Sequence, residues 1–181
     1  MEELLILVDT HDRKRGYAPK MQVHQQGLLH RAFSIFIFDK NGRVLLQQRA
    51  SGKYHSQGLW TNTCCGHPRP GERTLAAAKR RLQEEMGITC PLQKVATLLY
   101  REQVSNQLIE HEYDHIFAGL CHTDPIANPE EASNWQWMAL AQIPPSIAAA
   151  PDTFSIWFRR IFETLGPADL KAWNETAQAR D

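Results

Sequence analysis

The chain has 181 residues, 43% of them hydrophobic and 22% charged, enough apolar material for one well-cored domain with terminal extensions. Its 20 basic and 20 acidic residues cancel, so no global field draws it to nucleic acid or to an anionic membrane, and any anion site must be local. The apolar run near the N-terminus, Leu4 to Val8, falls far short of the roughly 20 residues that cross a bilayer, so a cytoplasmic protein without nucleic-acid or membrane partners is expected.

Leu4 to Val8 reads as a strand, and Asp9 to Lys20, charged and broken by Gly16 and Pro19, as a loop or hairpin return. His24 and His30 follow, six residues apart around Gly27. Either one alone is more often structural than a ligand. Ala32 to Asp39 is rich in Phe and Ile and predicts a strong strand. Asn41-Gly42 is a hairpin signal leading into Val44 to Arg49, which together predict a central antiparallel pair. Arg49 and Lys53 then sit four apart in a small-residue loop, either as ordinary loop charges or as a clamp for a diphosphate. The run Thr61 to Pro68 places a thiol, Cys65, two residues from an imidazole, His67, at the mouth of a glycine/proline loop.

Glu72 to Ile88 predicts a helix. Thr74 is its candidate cap, Leu75, Ala78, Leu82 and Met86 form an apolar stripe, and Gly87 supplies a left-handed stop. Arg80 with Glu84, and Arg81 with Glu85, are neighbours on its surface. Leu92 to Arg101 and Leu108 to Cys121 read as strands joined by a turn at Ser105-Asn106. Alternation along the second strand puts Glu110, Glu112 and Asp114 on one face and His111, Tyr113 and His115 on the other. Carboxylates in line repel, so that face requires either solvent or a cation. Trp135 to Met138 reads as a further strand. Pro144, Pro145 and Pro151 punctuate a short helix-prone region, and Phe154, Trp157, Phe158, Ile161 and Leu165 mark an amphipathic helix. Residues 166–181 predict one more short helix. The adjacent Cys64 and Cys65, with Cys90 and Cys121, fit no disulfide framework and are expected as thiols, the latter two in or near the core.

Gly66, Glu72, Arg80, Leu82, Glu84, Glu85, Gly87 and Ile88 stand at the spacing of a Nudix box. The segment resembles the Nudix superfamily, in which a loop-helix-loop presents glutamates to divalent metal bound to a diphosphate. The resemblance implies an α+β Nudix fold, with mixed, mainly antiparallel β-sheets flanked by helices in a single compact domain. In that frame residues 1–27 are an N-terminal strand and loop extension carrying a metal-ligand histidine, residues 28–165 the catalytic domain, and residues 166–181 a helical tail. One position departs from the box: where a Nudix hydrolase has a metal-holding glutamate directly after its arginine, this chain has Arg81.

Lys20, His24, His30, Arg49, Lys53, Cys65-Gly66-His67, Glu85, Tyr100, Glu110, Glu112 and Trp157 in this order are similar to the type 1 isopentenyl-diphosphate delta-isomerases. That resemblance implies interconversion of isopentenyl and dimethylallyl diphosphate by moving one proton on and one off an allylic system. It makes Cys65 and Glu112 the acid/base pair, with Tyr100 hydrogen-bonded to it and Trp157 offering a ring face to a carbocation. It implies Mn²⁺ or Mg²⁺ on His24, His30, His67, Glu110 and Glu112. A second Mg²⁺ would bridge Glu85 to the substrate diphosphate, aided by Lys20, Arg49, Lys53 and Arg81. Two rival readings stay open: a Nudix hydrolase of a nucleoside diphosphate derivative, and a catalytically silent module that binds a partner through its Trp-rich C-terminal half.

Overall fold

The computed structural model describes residues 3–104 and 107–179; the Ser105-Asn106 turn lies outside the described residues. Leu4–Val8 (β1) and Lys14–Pro19 (β2) form an antiparallel hairpin in which Leu5 stands opposite Ala18. The second strand occupies sequence expected as a loop or hairpin return, and the return is the outcome. Its charged residues are tolerated because it lies at a sheet edge, and Asp9 ties the connection together through the Arg13 and Arg15 guanidinium groups. Lys20–Gln26 (α1) starts directly after Pro19 and ends at Gly27, whose φ is 62°. A side chain there would meet Ile109 at 3.0 Å, so glycine is required twice over.

His30–Phe38 (β3) is the spine of the sheet. One edge pairs in parallel with Ile109–Leu120 (β8), from His30↔Glu112 to Phe38↔Leu120. The other edge is shared in turn by β1 at Leu7↔His30, by Cys64–Gly66 (β6) at Phe33 to Ile35, and by Arg43–Arg49 (β4) at Phe38↔Val44. The central β3/β4 pair expected from Asn41-Gly42 is therefore confined to its hairpin end. Side chains from a later segment split it. Thr63 Oγ1 accepts from Ile37 N at 2.9 Å and donates to Leu45 O at 2.7 Å, and Asn62 Nδ2 donates to Ile35 O at 3.2 Å. Gln47 Nε2 in turn donates to Thr63 O. Past this wedge β4 joins Trp60–Thr61 (β5) on one side and Ala132–Ala139 (β9) on the other, while Gln93–Gln103 (β7) completes the first half by pairing with β8.

Both faces of β3 are buried, as its continuous apolar run requires. Phe33, Ile35 and Ile37 pack with Ala78, Leu82 and Met86 of Thr74–Met86 (α2). Phe36 and Phe38 pack on the other face with helices from the C-terminal end of the chain. These follow Ile143–Ala149 (α3) and are Ile156–Thr164 (α4), contributing Trp157, Phe158 and Ile161, and Gly166–Gln178 (α5), contributing Leu170 and Trp173. Helix α2 is shorter than the expected run. Thr74 is its first residue rather than its cap, and the turn before it is closed by Glu72, which accepts from Arg69 N and pairs with Arg80. The stop at Gly87 has φ 66°, and a Cβ there would lie 2.8 Å from Ile126 O. No helix among the described residues is long and apolar enough to cross a membrane.

The wedge predicts a cost. Thr63→Val keeps the shape but strands the buried Ile37 N–H and Leu45 carbonyl, so stability is expected to fall by about 1–3 kcal/mol. Urea unfolding followed by circular dichroism should show a lower midpoint with an unchanged slope.

Candidate active site

A cavity of about 780 Å³ opens between β6, the start of β8, the loop after β4, and helices α2 and α4. His67, the residue after β6, lines it, and His24 from α1 and His30 from the first position of β3 lie fully buried beside it. Their ligand atoms and one from Glu110 all lie within 4.8 Å of one another. The ring centroids are 5.0 Å apart for His24 and His30, 5.0 Å for His30 and His67, and 5.7 Å for His24 and His67.

Backbone carbonyls fix two of the tautomers. His24 Nδ1–H donates to Lys20 O at 2.7 Å and His30 Nδ1–H to Leu28 O at 2.9 Å, so in the neutral rings each Nε2 keeps a lone pair for the cluster they form with His67 and Glu110. His30 Nε2 faces His67 Nε2 at 3.2 Å, and the latter is 3.1 Å from Glu112 Oε1. His24 Nε2 lies 3.2 Å from Glu110 Oε2, a buried oxygen without a hydrogen-bond partner. Lone pairs and carboxylate oxygens converging in a buried space repel unless a proton or a cation lies among them. Separations near 3 Å also match neighbouring ligands on a six-coordinate ion with bonds of about 2.1 Å. The donor set fits a divalent cation.

The three in-line carboxyls of β8 are all buried, so solvent does not screen them. Burial alone would raise Glu110, but the imidazoles of His24 and His55 hold it well below the ordinary carboxylate range. Burial and the Glu110 charge likewise oppose ionisation of Glu112, and His30 and His67 outweigh them. Asp114, one step deeper, accepts from Ser34 Oγ at 2.8 Å and is driven well above the usual range by burial and the neighbouring Glu112 charge. Two carboxylates favoured as anions thus face the cavity, with one whose ionisation is opposed behind them.

Tyr100, opposite Glu112 in the β7/β8 register, donates its hydroxyl to Glu112 Oε2 at 2.5 Å. Cys65 lines the same cavity, and its thiol is pushed up to about 12 by burial, against the pull of the Arg49 guanidinium. Alternation in β6 turns Cys64 the other way, into the core beneath α2. Trp157 forms part of the wall, with the Arg49 guanidinium 5.1 Å from its ring centroid. Three of the cations named from the sequence reach the cavity already paired. Lys20 pairs with Glu3, and Lys53 with Glu131. Arg81 pairs with Glu85 at 2.5 Å and with Glu131 at 2.9 Å, while Glu85 also accepts from Gln47 Nε2. Arg49 instead donates to the carbonyls of His55 and Ser56.

Every residue singled out from the sequence as catalytic, metal-binding or diphosphate-binding therefore lies at this cavity or in the imidazole cluster beside it. The sequence reading missed His55 and Glu131. Both belong to irregular segments, where no periodicity marks an inward-pointing side chain. The remaining signal for His55 was its position two residues after Lys53.

The family description "NUDIX domain" matches residues 28–158. The chain is 55% identical to the isopentenyl-diphosphate Delta-isomerase of Serratia proteamaculans over 177 residues, covering 98% of this chain and 99% of that protein. It is 50% identical to the enzyme of that name from Burkholderia multivorans over 173 residues, covering 96% and 98%. Among solved structures, the DR0079 protein of Deinococcus radiodurans superposes with a TM-score of 0.68 over 81% of this chain and 90% of that one, at 19% identity, a likeness of fold alone.

The raised thiol leads to a measurable expectation. At pH 8 almost all of Cys65 is protonated, so in chelator-treated protein its alkylation by iodoacetamide should run at least about tenfold slower than that of an ordinary exposed cysteine. The rate should climb roughly tenfold per pH unit, since each unit below the pKa removes that share of thiolate. Peptide mass mapping reads the rate; a free-cysteine rate at pH 8 would mean that Sγ is not shielded.

Proposed function

The chain belongs to the NUDIX domain family and, within it, to the isopentenyl-diphosphate Delta-isomerases, and on that premise we infer that its cavity interconverts isopentenyl and dimethylallyl diphosphate. The observation that carries the reading is that Cys65 and Glu112 line one cavity with Tyr100, Trp157 and six cationic side chains, Lys20, Arg49, Lys53 and Arg81 among them. Adding a proton to the terminal methylene of isopentenyl diphosphate leaves a tertiary carbocation. Removing one from the neighbouring methylene gives the dimethylallyl isomer, and no co-reactant is consumed.

Such a transfer needs one group that holds a proton and one that does not. Burial keeps the proton on Cys65 Sγ. Glu112, despite its burial, is held ionised by the imidazoles beside it. In the reverse direction the two groups exchange roles. Tyr100 fixes one oxygen of Glu112, and the ring of Trp157 can stabilise a desolvated cation by about 2 kcal/mol.

His24, His30, His67, Glu110 and Glu112 would hold a divalent ion, whose positive charge would lower the proton affinity of Glu112 and make its acid form strong. Three imidazoles with two carboxylates suit six-coordinate Mn²⁺ or Mg²⁺ more than a closed tetrahedral zinc centre. Glu85 would share a Mg²⁺ with the substrate diphosphate, which Lys20, Arg49, Lys53 and Arg81 hold by charge and, for the arginines, by paired hydrogen bonds. Arg81 stands where hydrolases of the superfamily place a metal-holding glutamate, so the same substitution removes hydrolytic metal binding and adds charge beside a diphosphate that must stay intact.

The deciding measurement is proton NMR of isopentenyl diphosphate with the protein and Mg²⁺ in D₂O. Deuterium should enter the dimethylallyl product without free phosphate; phosphate release would identify a hydrolase instead. Cys65→Ala should lower turnover by about 10²–10⁴-fold, the usual worth of a positioned acid or base. Treatment with EDTA should abolish turnover, and readdition of Mn²⁺ or Mg²⁺ should restore it.

A further inference from the structure

One buried imidazole is left without a task by the reading above. His55 is only 3% exposed, and its Nε2 lies 2.8 Å from Glu110 Oε1 without hydrogen-bond alignment, so this buried nitrogen has no bonded partner while pointing at a carboxylate. Its other nitrogen, Nδ1, is 3.0 Å from Ser56 Oγ. With that hydroxyl donating to Nδ1, the ring proton sits on Nε2 and faces Glu110. A small rotation of ring or carboxylate completes the bond.

Three further observations show that the dipeptide is held in place. Ser56 adopts φ 51°, a conformation that costs free energy in any residue but glycine and persists only where its surroundings enforce it. The carbonyls of His55 and Ser56 both accept from Arg49, which enters the cavity's anion-binding end. The His55 ring also stands edge-on to Trp157, with centroids 5.8 Å apart and planes at 83°.

We propose that His55, oriented by Ser56, is a positioning residue for Glu110: it grips Oε1 so that Oε2 is aimed at the nitrogens of His24 and His30. Glu110 is thus bracketed by two imidazoles, His24 on the cluster side and His55 behind, and it cannot rotate away from its neighbours when solvent enters. The inference rests on reading the imidazole–carboxylate cluster as a divalent-cation site.

Its test compares His55→Leu, His55→Gln and Ser56→Ala with the parent protein, using Mn²⁺ alone as the probe. Free Mn²⁺ is read by electron paramagnetic resonance on chelator-treated protein, and kcat and KM are measured at saturating Mn²⁺. Leucine fills the space but removes the donor. It should weaken Mn²⁺ by about 10–100-fold, the usual effect of losing a group that orients a metal ligand, and lower kcat while KM for isopentenyl diphosphate stays within about threefold. Glutamine, whose amide nitrogen stands near the position of Nε2, should restore most of both. Parent-like Mn²⁺ binding by His55→Leu would overturn the proposal, and so would a His55→Gln protein as weak as His55→Leu, because packing on Trp157 would then be the role. If His55→Leu fails to fold, Ser56→Ala decides: several-fold weaker Mn²⁺ binding supports the proposal and unchanged binding overturns it. A parent protein that binds Mn²⁺ without isomerising the substrate would sink the isomerase reading and leave this inference standing.

Discussion

The parallel ladder between β3 and β8 is the constraint on which the rest depends. Its far end is apolar on both faces, with Phe36, Phe38 and Leu120 buried against the C-terminal helices, and this fixes the register. Its near end carries His30 opposite Glu112 in that register, with Tyr100 opposite Glu112 on the other side. Because side chains alternate, a slip of one residue would turn Glu110, Glu112 and Asp114 to the α2 face and bury apolar residues where the cavity lies. Packing energy at one end of a strand pair thus holds unfavourable charge together at the other.

The same backbone explains how a fold shared with hydrolases can serve proton transfer. Helix α2 still presents Glu85 toward the cavity, but Arg81 occupies the adjacent turn and neutralises it. The cluster that could hold a metal is built away from that helix, from His24 of the N-terminal extension, His30 at the start of β3, His67 after β6 and the carboxylates of β8. The cavity then contains a protonated thiol and an ionised carboxylate in a buried setting. Hydrolysis by a metal-bound water requires neither of them in those states.

What could be read from the sequence follows the reach of each signal. The alternating row on β8 was legible because a strand has a period of two, and α2 because its stripe and glycine stop are local. The split between β3 and β4 was not, since the side chains that cause it, Asn62 and Thr63, arrive from well beyond the hairpin. Strand β2 was hidden by the charges an edge strand tolerates, and α1 by its seven-residue length with no capping side chain. Cys65 could be told from Cys64 because it adjoins Gly66 and His67, and the structure adds the physical reason: in β6 one thiol faces the cavity and the other the core. His55 and Glu131 depend wholly on loop conformation, which no short-range pattern encodes.

Glu131 joins Lys53 and Arg81, so the protein keeps a tethered anion of its own against two of the cations at the cavity. On the proposed reading, a diphosphate arriving there competes with that carboxylate, and the attraction it gains is reduced by the ion pairs it displaces. Under that reading a built-in anion tempers the grip on a highly charged product, because each departure is met by a carboxylate of the protein's own.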